Sequence, residues 1–318
     1  MALFKNHFSN VKTDENTGFG TNAARYGGRF INKDGSANVK RKGFNFFTRI
    51  SWYHTMLEMS RWKFLGLLFL FFIGINFLFA SFYYFIGIEF LDGIEHSGSE
   101  LTKFAKAYFF SAQTFTTVGY GHISPNGFLT SALAATEALI GLLSFSIATG
   151  LFFGRFSKPT AHIKFATNAL IAPFKNEKAL MIRLVPYKNT NFTDAEAKVT
   201  LAMVVEQNGQ LENKFYTLPL ELHKINTFSL SWTLVHHINQ ESPLFGLEAY
   251  HFKENKGEVL VFVKTFDDMF STIVGAQTSY TFNEIIYNAN FEIMYHENRE
   301  MTQTILNLDK LDSFQKTD

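Results

Sequence analysis

Two long apolar runs, Phe64–Ile88 and Phe128–Gly154, decide most of what this chain can fold into. The first has about 25 residues and no formal charge, more than the roughly 20 that cross a bilayer as a helix. Arg61, Trp62 and Lys63 precede it and Glu89 follows. The second is apolar apart from Glu137 and a few small polar residues, and Arg155 closes it. Gly141, Gly150 and Gly154 would weaken a soluble helix, but membrane helices use glycine for close packing or bending. Composition agrees: 38 Phe in 318 residues is more than a soluble domain uses and suits lipid-facing surface.

The charges beside the runs give an orientation. Lys33, Lys40, Arg41, Lys42, Arg49, Arg61 and Lys63 lie before the first run, and Arg155, Lys158 and Lys164 after the second. The segment between them carries Glu89, Asp92, Glu95 and Glu100 against Lys103 and Lys106. Basic flanks stay on the cytoplasmic side, which predicts cytoplasmic N- and C-termini and a short outer loop. Met1–Asn22 is polar with no apolar stretch, so a cleaved signal peptide is not expected. The net charge of +1 implies no polyanionic partner, nucleic acid included. The chain has no cysteine, hence no disulfides and no thiolate metal sites, which suits a reducing compartment.

Ahead of the first run, Phe46, Phe47, Ile50, Tyr53, Met56 and Leu57 recur near helical spacing within Phe44–Ser60. This predicts an amphipathic helix lying at the membrane interface; the alternative is the first turns of a tilted membrane helix. From about Pro173 the texture changes to short β-rich runs: ALMIRLVPY, VTLAMVVEQ, LENKFYTL, SLSWTLVHHI, EVLVFVKTF and FEIMYH. Asn208-Gly209 between two of them signals a hairpin. Evenly spaced strands without intervening helices predict an antiparallel β-sandwich. This half has no G-x-G-x-x-G, so a nucleotide-binding regulatory domain is not supported. His236 and His237 fall on opposite faces of one strand, which disfavours a shared metal site. No catalytic constellation stands out, and neither catalysis nor a cofactor is expected.

Between the runs lies TTVGYG, Thr116–Gly121. Non-helical backbone at membrane depth must be buried in protein or line a water-filled path. Glycine adopts positive φ without steric cost, so Gly119 and Gly121 permit a backbone of alternating hand. Carbonyls from Thr117 to Tyr120 can then face one axis and replace an ion's hydration shell. Thr117 adds a hydroxyl, while Val118 and Tyr120 would point away as braces. TVGYG resembles the filter sequence of potassium channels, and the resemblance implies K+ as the selected ion. Ser99–Phe115 reads as a short helix entering from outside, with Ser99 and Glu100 at its start. Its C-terminal end favours a cation. One such strand cannot surround an ion, so four chains are implied.

With these residues in view the chain resembles the inward rectifier potassium channels, and their bacterial branch in particular, from about Gly28 to about His296. Beyond TTVGYG, the matching stretches are GRFINKDGSANV (Gly28–Val39), GLFFGRFSKPTAHIKFA (Gly150–Ala166), ESPLFG (Glu241–Gly246) and QTSYTFNEI (Gln277–Ile285). The resemblance implies a homotetramer in the cytoplasmic (inner) membrane with K+ as the permeant ion. It also implies an interfacial slide helix, a gate where the inner helices cross, and an immunoglobulin-like cytoplasmic domain. Phe145, Thr149 and Phe153 are spaced by four and share one helix face. They would line the cavity above and at the gate with Thr116, and four Phe153 rings could close the path by dewetting. The alternative for Phe153 is ordinary packing surface. Gly141 and Gly150 are candidate bending points or close-packing positions. The resemblance further implies that internal Mg2+ or polyamines are the candidate blockers. Phe145 stands where strong rectifiers carry an acidic residue, so such block should be weak.

Other departures concern the filter's support. His122 follows the filter where an Asp or similar residue often sits, and Gln113 replaces a pore-helix Glu of bacterial relatives. His122 could titrate near neutral pH, or be a plain solvated mouth residue. Glu137, an intramembrane carboxylate, needs a partner or water, and a role behind the filter is expected. Arg61, Trp62, Lys63, Arg155 and Lys158 resemble the family's anionic-lipid set at the inner leaflet. Thr160, Ala161 and His162 stand where phosphoinositide-activated members carry cations. Sensitivity to anionic lipids, phosphoinositides among them, is therefore expected without a sign. Phe270, Ser271, Thr272 and Ile273 fall at the family's cytoplasmic loop constriction, with Asp267 and Asp268 nearby. The alternative there is a solvated surface turn. Missing cysteines beside the outer loop point to a bacterial source.

The expected organisation is a membrane-α plus all-β chain. It comprises a cytoplasmic N-terminal segment with an edge strand (1–43), a slide helix (44–60) and an outer membrane helix (61–90). A pore helix with filter (99–121), an inner helix (127–157), a tether (158–172) and the β-sandwich (173–318) follow. Two rival readings stand beside the potassium channel: a less selective cation channel of the same build, and a membrane-anchored binding module whose spans only tether the sandwich.

Overall fold

A computed structural model of the chain describes residues 13–14, 17–19, 29–40, 42–43, 51–94, 98–207, 210–254 and 257–317, with the side chains of 205–207, 210–212 and 252–254 left aside. It divides into two compact units, 42–158 and 1–41 with 159–318.

In the first unit a short helix, α1 (Trp52–Glu58), begins where the Ser51 side chain accepts from the His54 amide. Residues 44–50 of the expected slide helix lie outside the described residues. Helix α2 (Arg61–Ile86) is the first apolar run, and it stops at Gly87, whose φ of 125° no ordinary residue adopts readily. The expected outer helix thus ends before residue 90, in a 3-10 turn over Ile88–Phe90. Helix α3 (Glu100–Phe115) is capped by the Ser99 hydroxyl, as its sequence predicts. Helix α4 (Phe128–Phe156) is the second run. Both α2 and α4 are long and apolar enough to span a membrane. Strands β1 (Leu91–Asp92) and β2 (Ser124–Pro125) pair antiparallel and tie the loop after α2 to the loop before α4. A core of Phe79, Ala80, Tyr83, Ala107, Phe110 and Ala134 joins α2, α3 and α4.

The second unit is a β-sandwich. The strands of its two main sheets are β3 (Ile163–Phe165), β4 (Ala169–Phe174), β5 (Glu177–Pro186), β6 (Phe192–Gln207), β7 (Gln210–Leu218), β8 (Lys224–Phe228), β9 (Trp232–Ile238), β10 (Gly257–Asp267), β11 (Thr272–Thr281) and β12 (Ile285–Tyr287). The predicted run FEIMYH is split between Ala289–Phe291, paired with Phe314–Lys316, and Tyr295–Glu297, paired with Thr304–Leu306. One sheet runs β11-β10-β6-β7 with β8 also on β6, and the other β12-β4-β5-β3 with β9 also on β5. Pairing is antiparallel except for β12 on β4. The alternating inward residues Leu180, Ile182 and Leu184 of β5 meet Val259, Val261 and Val263 of β10 in the shared core. Gln207 pairs with Gln210 across a two-residue connection, the register that Asn208-Gly209 predicts, although these two residues lie outside the described ones.

Three expectations change. Strand structure starts at Ile163, within the expected tether, because Ile163–Phe165 pairs with Leu184–Pro186 of β5. A short helix, Ala249–Glu254, interrupts the strands. Among the described residues of the N-terminal segment only isolated bridges are found: Thr13 pairs with Tyr216 of β7, and Ile31 with Ala37 across a turn at Asp34-Gly35, where the resemblance implied a continuous strand. Side chains seat that turn instead. Glu258, buried on β10, accepts from the amides of Phe30 (2.6 Å) and Ile31 (3.1 Å). Arg29 pairs with Glu284 at 2.7 Å, and Lys33 donates to the Thr167 carbonyl at 2.7 Å. Burial and the nearby Arg29 charge, opposed by Glu284, bring Lys33 down to about 8.

His236 and His237 do point to opposite sides. His237 lies half-buried beside Glu177 and Glu221, whereas His236 is buried. His236 Nδ1 donates to the Pro219 carbonyl at 2.7 Å, so its Nε2 accepts from the Ser242 hydroxyl at 2.8 Å and anchors the SPLFG loop. Burial pushes His236 down to about 4. Between pH 6.5 and 4 the unfolded chain therefore binds a proton that the folded one refuses, and stability falls as pH falls. The shift corresponds to roughly 3 kcal/mol across that window. Denaturant midpoints followed by Trp232 fluorescence, with Trp52 and Trp62 replaced by Phe, should show this loss, and His236→Gln should flatten it. An unchanged acid slope in the variant would mean that another group carries it.

Candidate ion pathway

The filter segment alternates in hand along its length. Thr117, Gly119 and Gly121 have φ of 60°, 50° and 76°. The two glycines are where the sequence puts them, but Thr117 adds a third left-handed residue that is β-branched and so costs strain. The end of α3 holds this backbone: the Gln113 carbonyl accepts from the amides of Val118 (3.0 Å) and Gly119 (3.3 Å), and the Thr114 carbonyl from Thr117 (3.0 Å). These are the carbonyls a helix end leaves unpaired. Val118 and Tyr120 are exposed within the single chain. Thr116 turns its hydroxyl back to the Ala112 carbonyl at 2.7 Å.

The Gln113 side chain makes no hydrogen bond among the described residues; its carbonyl is the part that reaches residues 118 and 119. His122 is exposed, and its carbonyl lies against Gly93, where any Cβ would overlap it. Asn126 closes this outer rim by donating to the Phe90 carbonyl through its amide at 2.8 Å and to Asp92 through its side chain at 3.2 Å.

Behind the filter sits a buried polar cluster that the sequence only half reveals. Glu137 is fully buried and accepts from the Tyr83 hydroxyl at 2.7 Å. Ser111 lies 2.5 Å from Glu137 Oε1 and 3.0 Å from Asn76 Oδ1. Asn76 Nδ2 donates to the Phe72 carbonyl at 2.7 Å, which turns Oδ1 toward Ser111. The cluster takes Asn76 and Tyr83 from α2, Ser111 from α3 and Glu137 from α4, and so pins three helices at one point. Asn76 in an otherwise apolar run was the available signal for the outer-helix partner. One turn beyond Glu137, Gly141 lies against the backbone of Phe115, and a Cβ there would overlap the Phe115 carbonyl oxygen.

Phe145, Thr149 and Phe153 are exposed along one face of α4. Gly150, unlike Gly141, has open space around it within the chain. Arg61, Trp62 and Lys63 are exposed in the first turn of α2, with no ion pair among the described residues. Lys158 reaches Glu58 at 3.4 Å on the surface. Arg155 is placed otherwise: its guanidinium donates to the carbonyls of Met56, Leu57 and Met59 and lies 4.6 Å over the Phe64 ring.

At the expected cytoplasmic constriction, Thr272 and Ile273 belong to β11 and pair with Asp267 and Phe266. Only the turn ahead of them is loop, with Ser271 at a φ of 48°. Phe270 is half-buried, and Ser271 and Ile273 are exposed. Asp267 is buried and accepts from the Met269 amide at 2.9 Å, so it shapes the turn and is not offered to cations. Asp268 is exposed.

Comparison with known proteins bears on all of this. Residues 70–158 match the ion channel model and residues 163–318 the inward rectifier potassium channel C-terminal domain. The inward rectifier potassium channel Kirbac3.1 of Paramagnetospirillum magnetotacticum is 33% identical over 270 residues, which span 83% of this chain and 88% of that one. The G protein-activated inward rectifier potassium channel 4 of Homo sapiens is 24% identical over 290 residues, 83% of this chain and 67% of that one. A two-span pore unit carrying TVGYG, followed by this sandwich, belongs to one family: the chain is an inward rectifier potassium channel.

Proposed function

We propose that four copies of the chain surround a K+ path in the inner membrane, with Thr117 to Tyr120 supplying carbonyl ligands to the ion and Gly121 closing the filter. The observation that carries this is the alternation of positive φ at residues 117, 119 and 121, inside the channel-matched segment. Exposed Val118 and Tyr120 are then the surfaces that neighbouring protomers cover. Phe145 and Thr149 line the cavity with Thr116, and Phe153 forms the gate toward the cytoplasm. Gly150 is the bending point of α4, since Gly141 is taken up by packing. Gln113, His122 and Glu137 support the filter, Glu137 through its buried cluster.

Arg61 and Lys63 are cations at a helix N-terminus, where the helix dipole disfavours them. An anionic lipid headgroup would relieve that, with Trp62 at the interface and Lys158 beside it. Phosphoinositides are one such lipid. The turn Phe270–Ser271, with Thr272 and Ile273 opening β11, narrows the cytoplasmic path.

Rb+ uptake into liposomes driven by a gradient of trapped K+ tests the core of this reading. Uptake should be blocked by Ba2+ and should fall at least tenfold when Na+ replaces K+ as the trapped ion. Equal fluxes would favour the less selective cation channel, and no flux the tethered binding module. Internal spermine should block only weakly, because Phe145 puts no carboxylate in the cavity. Steep voltage-dependent spermine block that Phe145 substitutions remove would overturn that part.

A further inference from the structure

We infer that Arg155 is a positioning residue that couples the interfacial helix α1 to the cytoplasmic end of α4, an inference that rests on the Phe153 gate proposed above. The last carbonyls of a helix have no intrahelical partners. In α1 the Thr55 carbonyl is served by the Met59 amide. Three of the four carbonyls beyond it are served by Arg155: Nη1 donates to Met56 at 2.5 Å and Leu57 at 3.2 Å, and Nη2 to Met59 at 2.6 Å. A planar, permanently charged fork suits several carbonyls at once, and the C-terminal end of a helix dipole favours a cation.

Packing points the same way. A Cβ on Gly154 would stand 3.0 Å from Tyr53 Oη and 3.1 Å from Leu57 Cδ2, so α1 lies directly on α4 here and a large side chain at 154 would push it away. Phe152 meets the Phe64 ring edge-on at 5.2 Å, and the Arg155 guanidinium covers that same ring at 4.6 Å. Residues 152, 154 and 155 are thus all held by α1 or the first turn of α2, and Phe153 stands among them. Any shift of α1 in the membrane plane reaches the gate residue through this joint. The guanidinium is correspondingly spent on backbone carbonyls, which separates Arg155 from Arg61 and Lys63, neither of which has an ion pair among the described residues.

The test sets charge against geometry. Arg155→Lys keeps the charge but is a point donor that cannot span the two nitrogen positions. Expected in R155K are amide exchange at residues 57–59 at least tenfold faster than in the parent, and a Rb+ flux shifted at least fivefold. The flux shift should disappear in a Phe153→Ala background. The number of phosphatidylglycerol molecules retained per tetramer in native mass spectrometry should stay unchanged. Gly154→Leu, which alters no charge, should reproduce the flux shift and carries the test if R155K fails to assemble.

Parental flux in both R155K and G154L overturns the coupling, as does a shift that persists in the F153A background. Parental R155K flux with an altered Arg155→Gln channel that retains less phosphatidylglycerol makes Arg155 a lipid ligand instead. Faster exchange without a flux change makes it a cap and no more. A Phe153→Ala channel that conducts as the parent does counts against the gate itself, and the exchange measurement then still reads the cap separately.

Discussion

Glu137→Ala should abolish K+-selective flux, whereas Glu137→Gln should stay within about threefold of the parent. The carboxylate meets the hydroxyls of Tyr83 and Ser111 in a fully buried setting. Alanine leaves the Tyr83 hydroxyl without its acceptor and opens a cavity beside it, while Ser111 falls back on Asn76 Oδ1 alone. Each unsatisfied buried group costs about 1–3 kcal/mol, and the cavity adds to that. Glutamine can satisfy the whole cluster: its carbonyl accepts from Tyr83, its amide donates to the Ser111 oxygen, and Ser111 donates on to Asn76 Oδ1. No charge on residue 137 is needed for that arrangement. Rb+ flux with K+ or Na+ trapped, together with the heat resistance of the tetramer on gels, would measure it. If Glu137→Gln proves as damaging as Glu137→Ala, the cluster works through charge, and the hydrogen-bond account is wrong.

The reason a defect there should reach the ion is short. Ser111 lies on the last turns of α3, whose carbonyls at 113 and 114 hold the filter amides. A pore helix unpinned at Ser111 moves those carbonyls. The sequence drew attention to Gln113 as a missing carboxylate in the filter's support. In the fold the carboxylate comes from α4, at Glu137, and meets α3 two residues earlier, at Ser111.

What could be read beforehand follows from how local each signal is. Spans, pore helix and filter were legible because runs of apolar residues, a Ser99 cap and two glycines act within a few residues of themselves. The strands from β5 onward were mostly visible in their alternation, yet β4 and β11 were not. β4 holds Pro173 and β11 a Gly-Ala-Gln run, and both owe their conformation to neighbours across the sheet. For the same reason Thr272 and Ile273 read as loop and fold as strand. Gly28–Val39 read as a strand only through its resemblance to the family's N-terminal strand, but Glu258, far away in sequence, pins the amides of Phe30 and Ile31 around a turn. Arg155 shows the limit most plainly. Its position beside basic residues suggested lipid, and only the fold brings the carbonyls of Met56, Leu57 and Met59 to it.

Gly141→Ala and Gly150→Ala should separate packing from bending, although the two positions look alike in sequence. A methyl group on residue 141 would overlap the carbonyl oxygen of Phe115 and stand 2.8 Å from its carbonyl carbon. These are backbone atoms and cannot swing aside, so α3 must shift or α4 must retreat, at a cost of about 1–3 kcal/mol for overpacking of this kind. Phe115 leads directly into Thr116 and Thr117, so the displacement enters the filter at its strained residue. Gly141→Ala should therefore lower the K+ over Na+ flux ratio at least tenfold. At residue 150 the same methyl meets nothing within 4 Å in the chain, and alanine stiffens a helix by about 1 kcal/mol relative to glycine. Gly150→Ala should leave the ion ratio unaltered and reduce total flux, as expected if α4 bends there to open. Unaltered flux in Gly150→Ala would remove the bend at that point. An unaltered ion ratio in Gly141→Ala would show that the pore helix absorbs the methyl without passing it to the filter, and would weaken the same mechanical link on which the Glu137 prediction depends.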